Sequence, residues 1–300
     1  MNIAVLSDTR LPTDISYAGH GLGRSAARIA AGLVKRGHKV TVYGGAGSRV
    51  DGCTVHIHSD ENERADELYR KGRTYDVYID STHFFRLAHL AGDWPIVCKI
   101  CDMEGQAPRN RVYGTSAHAK QRNDPMGRVI FEGLTIDDYP FNGGKRGEHL
   151  LFAGLLSAGW KRPDLAYAVA QKLDRTLWMV GSGGPLDFPC PQPGAIEPPR
   201  FYRVLGRATA IVSAVPTMSF LEGAACGTPS LGLVADEFIA DGITGFARPT
   251  VDQLVDAAKD GLAALKPARC REWVAAERSA DKMCELWETA CVDAMSGKVW

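Results

Sequence analysis

Short apolar runs alternate with longer amphipathic stretches along nearly the whole chain. NIAVLSD predicts a strand, and HKVTVYGG predicts a second. Between them RSAARIAAGLVKRG places Ala26, Ile29, Ala30, Leu33 and Val34 on one helical stripe closed by Gly37, which completes a βαβ unit. Further strands are expected in DVYID, PIVCKICD, RVYGTS and RVIFEG, with helical stretches such as ENERADELYRKG between some of them. The polar, glycine-paired YPFNGGKRGEH at 139–149 interrupts the pattern and predicts a domain boundary. Alternation then resumes: strand HLLFAGLL, helix PDLAYAVAQKL, strand TLWMVGSGG, helix PRFYRVLGRA, strand TAIVSAV, helix SFLEGAACG, strand PSLGLV. From VDQLVDAAKDG onward the chain reads as helical, with Trp273, Met283, Leu286, Trp287 and Ala290 as an anchoring stripe. The pattern predicts an α/β protein with two Rossmann-like, doubly wound domains facing across a cleft, the first over 1–145 and the second beginning at 146.

Composition narrows the picture. A chain of 300 residues with 45% hydrophobic and 23% charged positions has room for two globular domains. Lys and Arg total 35, as do Asp and Glu, so no global field draws the protein to nucleic acid or to an anionic membrane. No run approaches the roughly 18 apolar residues of a membrane span, and the apolar opening MNIAVLSD lacks the flanks of a signal peptide. The eight cysteines are scattered without metal or disulfide spacing, so reduced thiols and a cytoplasmic location are expected. Cys98 and Cys101 form a CxxC, but inside a predicted buried strand, which makes them core residues.

One glycine-rich stretch, GHGLGRSA, holds G-x-G-x-x-A at Gly21, Gly23 and Ala26. A dinucleotide fingerprint should follow the first strand directly and be answered by an acidic residue at the end of the second. Here the second strand ends Val42-Tyr43-Gly44. The better reading of Gly19, Gly21 and Gly23 is a loop opening onto a helix N-terminus, where free N–H groups suit an anionic or hydroxyl-rich ligand. A plain flexible loop is the alternative.

Several segments carry a family resemblance in the right order: the N-terminal GHGLGRSAARIAAGLVKRGHKVTVYG, then LLFAGLLSAGWKRPDL, WMVGSGG and, most specifically, LEGAACGTPSLGL followed by EFIADGITGF. The chain resembles the retaining glycosyltransferases of the GT-B fold, the group that includes bacterial glycogen synthases. The resemblance implies an acceptor site in the first domain, a nucleotide-sugar site in the second, and a helix over 276–300 that crosses back after a second domain ending near 275. It implies that Glu222 holds the ribose hydroxyls of a nucleotide-diphosphate sugar such as a UDP-sugar, a task suited to an acceptor-only carboxylate. The backbone of Met218, Ser219 and Phe220 would face the diphosphate, Lys161 would bind phosphate and assist catalysis, and Gly181, Ser182 and Gly183 would wall the base.

Departures are visible too. Leu155 stands where the family usually has an arginine, and Ala214 where it usually has a second glutamate. Cys101-Asp102 replaces a histidine common near the sugar, leaving Asp102 as the candidate catalytic group there, with Glu104 beside it. No Asp-x-Asp occurs, so no metal and no cofactor are expected, only the nucleotide sugar as co-substrate. The expected partners are that donor and a hydroxyl acceptor. Arg109, Arg111, Lys120, Arg122 and Arg128, against Asp124 alone, raise the option of an anionic acceptor: a phospholipid, a sugar phosphate or modified DNA. A solvated loop face is the alternative for that run, and a nucleotide-sugar-binding protein without transferase activity is the alternative for the whole.

Overall fold

The computed structural model describes residues 1–17, 21–100, 107–141, 143, 146–233 and 237–300. In chain order the elements are β1 (Asn2–Ser7), α1 (Gly21–Lys35), β2 (Lys39–Gly44), β3 (Thr54–Ile57), α2 (Glu61–Lys71), β4 (Val77–Ser81), α3 (Arg86–Leu90), β5 (Ile96–Ile100), β6 (Arg111–Tyr113), α4 (Ser116–Gln121) and β7 (Arg128–Val129). There follow β8 (Leu150–Ala153), α5 (Pro163–Lys172), β9 (Leu177–Val180), α6 (Arg200–Leu205), β10 (Ala210–Ser213), α7 (Met218–Ala225), β11 (Ser230–Gly232), β12 (Gly245–Ala247), α8 (Val251–Gly261), α9 (Pro267–Glu277) and α10 (Ala280–Met295). They form two compact units, Met1–Gly133 with Ala280–Trp300, and Leu134–Ser279. The segment 139–149, expected as a linker, lies inside the second unit, where Arg271 ties it down by donating to the carbonyls of Tyr139 and Ile136.

The first unit is a seven-stranded sheet in the order β3-β2-β1-β4-β5-β6-β7, parallel at every pairing. Its central strands are apolar without alternation because both faces are covered. α1 and α10 cover one face: Gly32 admits α10 so closely that a Cβ there would stand 2.1 Å from Cys284 Sγ. A second cluster, with Ala65 and Leu68 of α2 and Leu87 of α3, fills the other. Met283, Trp287 and Ala290 of the predicted stripe are buried in this unit. Leu286 instead remains 46% exposed, and Trp273 packs in the second unit, because α9 and α10 are separate helices divided at the unit boundary.

The second unit is a five-stranded parallel sheet in the order β12-β11-β10-β8-β9. Residues of α6, α7 and α9 pack on one face, those of α5 and α8 on the other. The short strands β3 and β12 carry too little apolar pattern to stand out in the sequence: three of the four β3 residues are exposed and the other half-buried. The strand expected in RVIFEG shrinks to Arg128–Val129.

Candidate functional site

In a parallel sheet the ligand crevice lies beyond the carboxyl ends of strands that part in opposite directions. In the second unit those strands are β8 and β10. After β8 the chain runs through Gly154 and Leu155 to a 3-10 turn, Gly159–Lys161. After β10 it runs to Thr217, whose side chain caps α7.

α7 places Glu222 in its second turn, where it is 1% exposed. Burying a carboxylate is costly, and close packing of the helix helps to hold Glu222 in place. Gly223 contributes: a Cβ there would come 1.9 Å from Ile211 Cδ1 on β10, so a larger residue would have to displace the Ile211 side chain or the helix. Gly227 contributes too by ending the helix at φ +86, with the Thr228 N–H donating to the Gly223 carbonyl at 2.8 Å. Of the three amides expected to face a diphosphate, two are already engaged by the cap. The Ser219 N–H reaches Thr217 Oγ1 at 3.4 Å and the Phe220 N–H reaches the Thr217 carbonyl at 3.1 Å. Met218 supplies the amide of the three without such a tie.

Lys161 sits over Gly154 and next to Trp160, its ammonium 4.2 Å from the indole centroid. Burial pulls its pKa below the usual lysine value. The loop after β9 is laced to the loop after β8: the Gly154 N–H donates to Val180 O at 3.0 Å and the Leu156 N–H to Ser182 O at 2.7 Å. Gly181 and Gly183 make the lacing possible. A Cβ on Gly181 would stand 1.6 Å from the Gly154 carbonyl oxygen, and one on Gly183, at φ +80, would stand 2.3 Å from Ser157 Oγ. Lys161 and Gly181–Gly183 thus share the carboxyl edge of the second sheet with the start of α7. Leu155 is 48% exposed there, and Ala214 follows β10 directly.

In the first unit Gly21 opens α1, with open space beside its Cα, and Gly23 is buried in the next positions. Gly19, Asp102, Cys101 and Glu104 lie outside the described residues. The parting strands here are β1 and β4. At their carboxyl ends stands a cluster that the sequence reading missed. Asp8, 1% exposed, accepts from Arg10 Nη2 at 2.6 Å and lies 3.4 Å from His83 Nε2. Asp80, also 1% exposed, accepts from Thr82 Oγ1 at 2.7 Å, while Arg64 Nη1 donates to the carbonyls of Ser7 and Tyr43 at 2.5 and 3.1 Å. Burial raises the Asp80 pKa, against the lowering pull of Thr82 and Arg64. Deeper in the same unit Glu132 accepts from Ser25 Oγ at 2.5 Å and pairs with Lys99 at 2.7 Å. A signal was present: the apolar runs NIAVL and VYI both end in Ser, Asp and Thr, as SDT and DST.

The basic run does not form a free cationic face. Asp124 takes Arg111, Asp293 takes Arg128 at 2.7 Å, and Arg109 donates to Trp94 O at 2.8 Å. Arg128 also covers Trp300, 3.6 Å from its ring centroid.

Two such parallel sheets, each with its switch point, define the fold of the GT-B glycosyltransferases, and solved structures agree. The chain is similar to AviGT4, a glycosyltransferase involved in avilamycin A biosynthesis, with a TM-score of 0.80 at 18% identity over 100% of this chain and 99% of that one. It is similar to the sucrose-phosphate synthase of Thermosynechococcus elongatus, with a TM-score of 0.72 at 13% identity over 99% and 100% of the two chains. An α-glucosyltransferase solved with UDP and a 13-mer DNA containing an HMU base gives 0.65 at 11% identity over 97% and 99%. No family model and no curated protein matches the sequence.

Proposed function

We propose that the protein is a glycosyltransferase that moves a sugar from a nucleotide-diphosphate sugar, with UDP as the leading nucleotide, to a hydroxyl acceptor. The observation that carries this reading is the conjunction at the carboxyl edge of the second sheet: a buried carboxylate on a closely packed helix, Lys161 on the neighbouring loop, and a glycine-laced wall. In the step itself the bond between the anomeric carbon and the diphosphate oxygen breaks, a bond from the acceptor oxygen forms, and the acceptor proton passes to the departing phosphate or to solvent. Retention of configuration rests on the family resemblance alone. Lys161 and the Met218 N–H would stabilise the leaving diphosphate, the preorganised electrostatics that often supply the largest catalytic term, without a metal and without a cofactor. Glu222 would hold the ribose diol. A cytoplasmic site of action accords with the free cysteines and with the finding that no described helix is long and apolar enough to cross a membrane. For an anionic acceptor, lipid, sugar phosphate or modified DNA, the support reduces to Lys120 and to the DNA in the α-glucosyltransferase complex.

The second reading, a nucleotide-sugar binder without transfer, is favoured by two departures, the exposed Leu155 at the position of the family arginine and Ala214 at that of the family's second glutamate. A donor panel separates the two. The transferase should release free nucleotide slowly from one nucleotide sugar even without acceptor; a thermal shift with that donor and no release over hours would leave the binder. Neither shift nor release with any donor would remove both.

A further inference from the structure

The second unit contains a cavity of about 470 Å³ at the other end of its sheet, by the amino ends of β8, β9 and β10. That volume falls within the roughly 300–1,000 Å³ of small-molecule sites. Leu150, Leu173, Leu262 and Leu265 give it apolar walls, and three cations from three different segments reach it: Arg146 before β8, Arg175 between α5 and β9, and Lys259 on α8. None of its described lining residues is acidic.

Some surface cations of this unit find carboxylates: Arg162 pairs with Asp164, Lys172 with Asp252 and Arg248 with Asp241. The three at the cavity are not so paired. Arg146 donates to the Leu265 and Leu262 carbonyls at 2.7 and 3.4 Å, which fixes its guanidinium, and its Nε is buried with no hydrogen-bond partner. Arg175 and Lys259 are exposed at the rim with no ion pair among the described residues. A guanidinium fixed by two carbonyls, two exposed cations and an apolar wall form a receptor for a multiply charged anion carrying an apolar body.

We infer that this cavity is a second ligand site, distinct from the carboxyl-edge site, and that it takes a small organic phosphate monoester. Three converging cations match a dianion better than a single carboxylate, and the concave leucine-lined wall matches a small molecule better than a flat lipid surface. The inference does not rest on the transferase reading.

The test uses the full chain with phenyl phosphate, inorganic phosphate and phenol as probes in calorimetry. Phenyl phosphate should bind, inorganic phosphate more weakly because it leaves the leucines uncovered, and phenol not measurably. The rim variant Arg175→Glu/Lys259→Glu, which alters only exposed side chains, should lose at least about tenfold in phenyl phosphate affinity, as expected when charge-assisted bonds are removed. Saturating UDP should leave that affinity unchanged. Arg146→Gln, with its fold checked by circular dichroism, should also weaken binding. Absence of phenyl phosphate binding, affinity that survives the rim reversal, or displacement by UDP would each overturn the site. Inorganic phosphate binding as tightly as phenyl phosphate would overturn the apolar part of the ligand assignment.

Discussion

At the carboxyl ends of β1 and β4 the first unit buries charge: Asp8, Asp80 and Arg64 are each 1% exposed, with His83 beside Asp8. At the carboxyl ends of β8, β9 and β10 the second unit is built from glycines, backbone amides and the half-buried Lys161, with Glu222 buried in the helix behind. The difference is one of who satisfies whom. Buried ions of opposite sign must be matched inside the protein or they cost several kcal/mol each, so the first cluster is largely answered by its own members and by strand carbonyls. In the second unit the loop amides of Gly154 and Leu156 bond to the neighbouring loop and those of Ser219 and Phe220 to Thr217, so charge balance at this edge falls to Lys161 and the Met218 amide at the helix start. On this comparison the first cluster is chiefly a folding device, and the second carries the binding role only as far as the proposed function holds.

The comparison breaks most visibly at Arg64. Arg64→Met keeps volume but leaves Asp80 and two carbonyls without their cation, and should cost about 3–5 kcal/mol of stability at pH 7. Asp80 already has a raised pKa in the folded state, and losing Arg64 raises it further. A raised carboxyl favours the folded state while protonated and loses that contribution as pH rises through its folded value, so the variant's deficit should be smaller near pH 5 than at pH 7. Urea titrations at both pH values measure it, and an Arg64→Met protein as stable as the parent would show that the cluster is not structural. Gly181→Ala should come next. Its Cβ would meet backbone at 1.6 Å, and φ +152 is strained for any side chain, so a loss on the order of 3 kcal/mol is expected. A melting temperature within a degree or two of the parent would mean that the two loops are not held as described.

The same contrast explains what could be read from the sequence. The second unit's determinants are local: a small-residue helix ending in Gly227, glycines directly after a strand, Lys161 a few positions after another. Each is a short string that carries the family resemblance, and the resemblance, not the string's own chemistry, implies its role. The first unit's cluster is assembled by topology, because Arg64 on α2 meets Ser7 of β1 only once the sheet has formed. Its one local trace, a strand running into Ser, Asp and Thr twice over, takes its meaning from the switch point. The basic run is less free than its sequence suggests for a related reason: Arg128 meets Asp293 across 165 positions of sequence, a pairing no local count of charges reveals. The unit boundary was displaced because YPFNGGKRGEH looks like a linker by composition but is anchored by Arg271.

For the second unit the sharpening experiment is Glu222. A hydrogen bond to a charged group contributes about 1.5–3 kcal/mol, and roughly 1.4 kcal/mol is tenfold in affinity. Glu222→Ala should therefore weaken UDP binding by at least about tenfold, and Glu222→Gln should retain part of it. A 2′,3′-dideoxy nucleotide should bind the parent about as poorly as the ordinary one binds Glu222→Ala. Calorimetry on these pairs decides; a folded Glu222→Ala protein with parental affinity would make Glu222 a packing residue and the two ends of the comparison alike.

The smallest effect tests whether charge in the first unit is structural right out to its edge. Asp124 is held down to a pKa of about 2, first by Arg111 and also by the Tyr113 hydroxyl, against the opposing effect of burial. A depressed carboxyl stabilises the fold above its unfolded value, about 3.9, and that contribution disappears as pH falls through about 2. Arg111 is 28% exposed, so screening keeps the pair near about 1 kcal/mol. Asp124→Asn should be less stable than the parent by that amount at pH 7, with the gap closing between about pH 4 and pH 2. The substitution also frees Arg111, which gives a second readout: if the basic run served an anionic acceptor, the acceptor KM would fall in Asp124→Asn and steepen with salt. A structural pair predicts an unchanged KM together with the pH-dependent stability gap. The reverse outcome, a changed KM and no gap, would move Arg111 from the framework of the first unit into its binding surface.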